Sequence, residues 1–552
     1  MSKDTTDFTV IIPDETLCSI FSFVRSIDPI QSSVIYSLCT EDAGRLSRLS
    51  SFKLGWINIT HVNSRWRAVA IDDATLWTCL TGQLGACWLD EFIRRGKSAP
   101  LAIDNSKFQT LYRNSTDRIS DNTLSDLLAA HSTRISSLWL HAPSIRLFGD
   151  VFAISFGALE EVFLSSSTSN TDFTYPVRML LDHTPRLRRL QLSLWKHHYT
   201  TFDWAHTAMS NLTSLDIFMA GPLLSEDILE ALRHMSVLSD LCLSESLTGT
   251  APLFCTHRCP ATSAGFIYLG AMKSMILDTS METHAHMLRH IRLPSDARLT
   301  LTISRNPSTD LSVHDALSRE LRSFLPSYQG VDPYRCAHLA FEDDMGMTCV
   351  YIELVRMRRL DSTVGGFNID GEWPHRLNSP HLSLHIVTTM CPTILPLLYP
   401  SSIHTLDILD KGASASHVAA QLSFFHNVER LRLGTSSSVL KRQAVRVLQD
   451  PTLLPLLRIL DMDSETFDLA WIVECHGALE DGLEARRLAG RPLEEVYLHV
   501  EEDVALINQG CTDETSCRDP PQYLILEVIE RLEAMDNLQI VSKDFDPFAT
   551  WL

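Results

Sequence analysis

Leu187-Arg188-Arg189-Leu190-Gln191-Leu192 decides the fold, because the same spacing of apolar residues surrounds it on both sides. Ile135-x-x-Leu138-x-Leu140 and Leu159-x-x-Val162-x-Leu164 precede it, and Leu212-x-x-Leu215-x-Ile217 and Leu238-x-x-Leu241-x-Leu243 follow. The starts are 24, 28, 25 and 26 residues apart. The last two apolar positions of each copy alternate, as one side of a short strand does, while the first closes the turn from the preceding segment. Helical spacing fills the interval before several copies, as in Ile228-Leu229-x-x-Leu232-x-x-Met235.

A strand and a helix returning at this period are similar to a leucine-rich repeat, whose units run to about 20–29 residues. The pattern fades between Ala251 and Glu372, where Leu299-x-Leu301-x-Ile303 and Leu339-x-Phe341 are expected as strands with irregular connections. It returns at Ile403-x-x-Leu406-x-Ile408, Val428-x-x-Leu431-x-Leu433, Leu457-x-x-Leu460-x-Met462 and Leu493-x-x-Val496-x-Leu498. The asparagine or cysteine that often ends such strands is mostly missing, which leaves the subtype open. Residues 131–510 are therefore expected to form a leucine-rich-repeat-like solenoid, a horseshoe lined by parallel strands. Before it, 81–130 reads as a helical linker or cap. After it, 511–552 reads as an acidic cap, with helical spacing from Gln522 to Ile540. Solenoids of this kind bind proteins over a broad surface, so the outward strand positions Arg188, Arg189, Gln191, Glu429, Arg430 and Arg432 are candidate target contacts.

The 552 residues are 45% apolar and 21% charged, as in a folded protein. Lys plus Arg number 47 against 67 Asp plus Glu, a net charge of -20. From Asp461 to Thr550 alone there are 22 acidic and 6 basic residues. General affinity for nucleic acid or an anionic membrane calls for the opposite excess, so neither is expected as a partner. The start has no basic region followed by an apolar core, and no apolar run approaches the roughly 20 residues that span a bilayer. With thirteen scattered cysteines, the expectation is a reduced, intracellular chain in the cytoplasm and/or nucleus.

The first eighty residues differ from the rest. Pro13-Asp14-Glu15 suits a first helical turn, and Leu17, Ile20, Phe21 and Val24 recur on one face. A polar, serine-rich stretch from Asp28 to Lys53 reads as an insertion or loop. Regular spacing resumes with Ile59, Val62, Trp66 and Val69 on one face, before a break at Asp72-Asp73 and then Leu76-Trp77. So small a unit holds three tryptophans, Trp56, Trp66 and Trp77. Either some of that aromatic surface packs against another chain or the next domain, or the rings are internal to a helical cap.

Pro13-Asp14-Glu15-x-Leu17-x-x-Ile20-Phe21, then Trp56-Ile57-x-Ile59-x-x-Val62-x-x-Arg65-Trp66-Arg67-x-Val69-Ala70 and Leu76-Trp77, resembles an F-box. It is most similar to the divergent form in large fungal (basidiomycete-type) F-box-like families. Ile12 stands for the usual leucine, and Asn63 where cysteine is frequent. The resemblance covers 8–80, with the insertion at about 26–54. It implies docking to the Skp-type adaptor of a cullin ubiquitin ligase. By it, Pro13, Leu17, Ile20 and Phe21 supply the first docking helix, while Val62, Trp66 and Val69 shape the packed second half. Together these readings give an α/β protein: a small N-terminal helical F-box-like module followed by the solenoid.

Catalytic patterns do not assemble. Cys255-Thr256-His257-Arg258-Cys259 lacks a second ligand pair for zinc, and Glu282-Thr283-His284-Ala285-His286 places its histidines two apart, where a zinc-protease helix needs four. Those histidines read as packing or surface residues, and Glu342-Asp343-Asp344 as a solvated turn. Glycine fingerprints for dinucleotides and phosphates are missing, as is a nucleophile elbow. The expectation is a chain that is not an enzyme and holds no cofactor. It would be the substrate-recognition subunit of an SCF-type ligase, joined through the adaptor to a cullin and holding a protein target. The alternative is a non-catalytic interaction scaffold with a degenerate F-box.

Overall fold

The structure, a computed structural model, describes residues 11–36, 48–82, 84, 86–108, 121–141, 147, 149, 151, 154–165, 177–195, 206–220, 225–245, 265–303, 311–328, 336–344, 347–355, 382–387, 391–398, 400–410, 415–435, 447–462, 470–499, 534 and 539–543. These form a mixed α/β fold dominated by parallel strands. The chain divides into two compact units, Met1–Gly221 with Glu230–Leu241, and Pro222–Leu229 with Cys242–Leu552.

In the first unit, helix α1 spans Asp14–Ile27, with Pro13 at its cap position and Asp14 and Glu15 in its first turn. Leu17 and Phe21 are fully buried. The polar stretch after it is not a plain loop. Strands β1 (Gln31–Tyr36) and β2 (Arg48–Lys53) pair antiparallel, with Gln31 opposite Lys53. The excursion closes where it began, because the Trp56 N–H donates to the Asp28 carbonyl at 2.8 Å. Gly55 makes that closure possible. Its φ is +55°, and a Cβ there would lie 2.6 Å from the Asp28 and Pro29 carbonyl oxygens.

The second half of the module departs from the single face expected for Ile59, Val62, Trp66 and Val69. Gly55–His61 is a 3-10 turn, and helix α2 begins afresh at Ser64 and runs to Asp72. Asn63 makes the break. Its backbone is extended and its side chain accepts the Trp66 N–H at 2.8 Å, a good N-cap. The residue that departs from the F-box pattern thus has a local structural role. Val62, just before the cap, is 57% exposed and is not part of the packing.

The tryptophans divide between the two readings. Trp56 and Trp77 are buried, with rings 5.0 Å apart, and Phe92 lies 6.2 and 5.1 Å from them. Phe92 belongs to helix α3 (Ala86–Arg95), and the Arg95 guanidinium sits 4.2 Å above the Trp77 ring. The Trp77 indole N–H donates to the Ala70 carbonyl at 2.8 Å. Trp56 and Trp77 therefore fasten the helical module to the next helix of its own chain, across the boundary at residue 80.

Parallel strands begin earlier than the spacing indicates. β3 (Cys79–Leu80) pairs with β4 (Leu101–Asp104), and β4 with β5 (Ile135–His141). The segment read as a helical linker thus holds β4 as well as α3 and helix α4 (Asp121–His131). β6 (Glu161–Ser165), β7 (Arg189–Trp195) and β8 (Ser214–Ala220) continue the ladder in parallel. One row aligns Leu138, Val162, Leu190 and Leu215, the next Leu140, Leu164, Leu192 and Ile217. Each is at most 2% exposed. Repeat spacing has become vertical stacking, each row burying about 2 kcal/mol of side chain per strand.

β9 (Asp240–Glu245) follows in the chain, and in the second unit the order is interrupted: β10 (Ile267–Tyr268) and β12 (Ile291–Arg292) pair in parallel as a separate two-stranded sheet. β11 (Ser274–Thr279) pairs parallel with β13 (Arg298–Ile303), and β13 with β16 (Leu382–Val387). β14 (Cys336–Asp344) and β15 (Met347–Val355) then form an antiparallel hairpin, with β15 on β16 and β14 on β17 (Thr405–Asp410). Both strands expected between Ala251 and Glu372 exist, and Glu342-Asp343-Asp344 ends β14 instead of forming a free turn. Parallel order resumes through β18 (Arg430–Thr435), β19 (Ile459–Met462), β20 (Glu495–His499) and β21 (Gln539–Lys543). Most of the helix expected from Gln522 to Ile540 lies outside the described residues, and its end, Gln539–Ile540, is strand.

His284 and His286 are packing residues, 0% and 2% exposed on the helix Met281–His290. The His284 Nε2–H donates to the Leu277 carbonyl at 3.1 Å, and burial pushes the ring down to about 4. Cys255–Cys259 lies outside the described residues.

Candidate docking surfaces

Helix α1 carries more apolar surface than its own module uses. Leu17 and Phe21 point inward, and Phe21 meets the Trp66 ring at 5.2 Å. Ile20, Phe23 and Ile27, spaced three and four apart on the adjoining face, are 38%, 64% and 64% exposed. Such a stripe on a helix that already has its packed side is what a partner covers. Arg65 of α2 pins the start of this helix, bonding the Ile12 carbonyl and pairing with Asp14 at 2.5 Å. Arg25 fixes the other end, donating to the Thr75 carbonyl and to Thr78 Oγ1. Ile11, next to the Ile12 carbonyl that Arg65 holds, is exposed as well.

The residues assigned to adaptor docking by resemblance therefore separate. Pro13 and Ile20 are exposed; Leu17 and Phe21 are buried and support the helix from beneath. Trp66 and Val69 are half-buried, and the Trp66 indole nitrogen is enclosed without a hydrogen-bond partner. Phe23 and Ile27 were missed by sequence reasoning, although their three- and four-residue spacing from Ile20 was the available signal.

The second surface is the outward side of the first-unit strands. Arg188 and Arg189 are exposed there and Gln191 is half-buried. The Arg189 guanidinium lies 3.7 Å from Glu161 on the neighbouring strand. Gln191 aligns with Phe163 and Asp216, and Phe163 with Trp139. Trp139 and Phe163 are outward-facing rings 5.3 Å apart, and His141 stands 4.6 Å from Phe163. These three were not read from the sequence: Trp139 and Phe163 share the x position of Gln191, and His141 follows Leu140, but the spacing of framework residues does not rank one such position above another.

The second unit presents its own outward row, in which Asp407, Arg432 and Asp461 align. Arg430 donates to Asp461 at 2.8 Å, and Glu429 meets His404 at 3.2 Å. Asp407 and Asp461 are buried. Arg430 and Glu429 are thus partnered within the chain, and a target would have to compete for them.

Among the described residues no group of histidine, cysteine and carboxylate side chains is placed to hold a metal. Among them, too, no helix is long and apolar enough to cross a membrane. No protein-family model matches the chain, and no curated protein matches it.

Proposed function

We propose that this chain is the target-recognition subunit of a cullin-type ubiquitin ligase. Its F-box-like module docks on the Skp-type adaptor, and a leucine-rich-repeat-like solenoid holds a protein target. The observation that carries the first half is the stripe of Ile20, Phe23 and Ile27, left bare on the helix that bears the Pro13-Asp14-Glu15-x-Leu17 signature. Support for the repeat reading comes from the in-register leucine rows of β5 to β8 and β17 to β19. Ubiquitin transfer itself would be performed by other subunits. This chain would contribute the proximity that raises a target's effective concentration beside them.

Co-precipitation with a purified Skp-type adaptor tests the docking. The intact chain is expected to bind, and Ile20→Glu or Phe23→Glu to weaken binding at least tenfold while far-ultraviolet circular dichroism stays unchanged. Failure of the intact chain to bind, or unchanged binding by both variants, overturns the ligase reading and leaves a scaffold with a degenerate F-box. Leu17→Ala is the poorer probe, since its buried side chain supports the helix and its loss acts through folding.

A further inference from the structure

One row on the outward side of the first-unit strands has a composition of its own. Read across β4 to β8 it runs Asp104, Trp139, Phe163, Gln191, Asp216. Alternate positions Ile103, Leu138, Val162, Leu190 and Leu215 fill the interior, so the hydrophobic core does not require these rings. Trp139 is held in one orientation. Its indole N–H donates to Ser137 Oγ at 3.0 Å, and that hydroxyl donates to Glu161 at 3.0 Å. An aromatic face fixed in advance loses little entropy when a ligand stacks on it.

Directly beside the rings, along the row itself, the charged positions are carboxylates. Outward positions of β4 to β8 include the carboxylates of Asp104, Glu161 and Asp216, with the guanidinium of Arg189 among them and exposed Arg188 just before β7. Asp240 stands exposed at the start of β9 (Asp240–Glu245). Asp104 accepts from the Ser106 N–H and hydroxyl, while Lys107 stands 3.7 Å from Asp104 and Arg189 3.7 Å from Glu161, both long contacts. Pairs of that kind contribute little and exchange readily. Ring faces attract cations, carboxylates pair with guanidinium groups in a fork, and the same acids repel phosphate.

We infer that this row is the seat of a basic, arginine-bearing peptide segment of the target protein, with one guanidinium on the Trp139–Phe163 pair. Four steps between neighbouring strands separate Asp104 from Asp216, roughly 19 Å, which an extended chain covers in about six residues. Basic residues at about that separation would meet both ends of the row. This inference rests on the target-binding half of the proposed function and is independent of adaptor docking.

Panning a random dodecapeptide library on the intact chain tests it. Selected peptides are expected to be enriched in arginine and lysine. A synthetic copy of the leading peptide should bind at least fivefold more weakly to Trp139→Ala and to the Glu161→Gln/Asp216→Asn double variant, and more weakly as salt rises. The double variant preserves side-chain shape and keeps one acceptor oxygen at each position, so it stays informative if Trp139→Ala perturbs the strands. Absence of enrichment, selection of acidic or neutral sequences, or full-strength binding by the double variant overturns the inference. So does binding of a neutral oligosaccharide, lost in Trp139→Ala, while basic peptides are ignored. Adaptor co-precipitation run in parallel separates the two ideas. Peptide selection failing with adaptor binding intact sinks only this inference, and the reverse sinks only the ligase reading.

Discussion

The outward rows of the two units rest on matching cores and are built to opposite ends. In the first unit Leu138, Val162, Leu190 and Leu215 stack behind a row of rings and acids. In the second, Leu406, Leu431 and Leu460 stack behind Asp407, Arg432 and Asp461, a row of alternating sign, and Arg430 reaches Asp461 at 2.8 Å. In the second row a guanidinium and a carboxylate pair closely; the first keeps rings flanked by carboxylates facing outward. The buried positions of a repeat are fixed by packing, and the positions between them are left to specialise.

That contrast can be tested first at its shared base. Leu190→Ala and Leu431→Ala each remove a side chain about 1% exposed. Each is expected to cost about 3 kcal/mol, read from urea unfolding. Tolerance of one but not the other would break the claim of matching cores.

A second test uses acid. His284 in the second unit is held neutral with its pKa lowered to about 4, so unfolding lets it take up a proton at any pH between that value and its ordinary 6.5. Stability from this group is complete above about 6.5 and falls as pH drops toward 4, by about 3 kcal/mol in all. The described core of the first unit contains no buried histidine. Hydrogen exchange at pH 7 and 4.5 should show the helix Met281–His290 loosening before β5 to β8, and His284→Leu should blunt that difference. Equal loosening in both units would refute it.

The charged rows supply the third test. Asp461→Ala removes the carboxylate paired at 2.8 Å with the Arg430 guanidinium, which is 31% exposed, and is expected to cost about 2 kcal/mol. Glu161→Ala, beside an Arg189 that is 66% exposed, should cost less than about 1 kcal/mol. Similar unfolding midpoints for the two variants would erase the distinction. The smallest expected effect is that of Trp139→Ala on stability, below about 1 kcal/mol, with its consequence appearing in peptide binding instead.

Much of the sheet was legible because burial imposes a period. Leu-x-x-Leu-x-Leu marks a closing turn and two inward side chains, and each strand from β5 to β9 begins at or within such a copy. β4 escaped because Ser98 stands where the opening apolar residue would be, leaving only Leu101 and Ile103. The β14–β15 hairpin escaped for another reason: alternation marks a strand and says nothing of its partner's direction. Among candidate contacts, Ile20 and Gln191 are marked by the spacing itself. Trp139 and Phe163 are not singled out, since the pattern marks which positions face out but not which of them gather rings.

The Trp56–Trp77–Phe92 cluster has a practical consequence for anyone handling this protein in pieces. A fragment cut at residue 80 would carry the whole F-box-like signature yet strip Phe92 and Arg95 from the Trp77 ring, uncovering two indoles that the full chain keeps dry. Such a fragment should aggregate, and its stickiness could pass for adaptor affinity. The shortest piece fit for a clean pull-down runs through α3 to Arg95 or beyond.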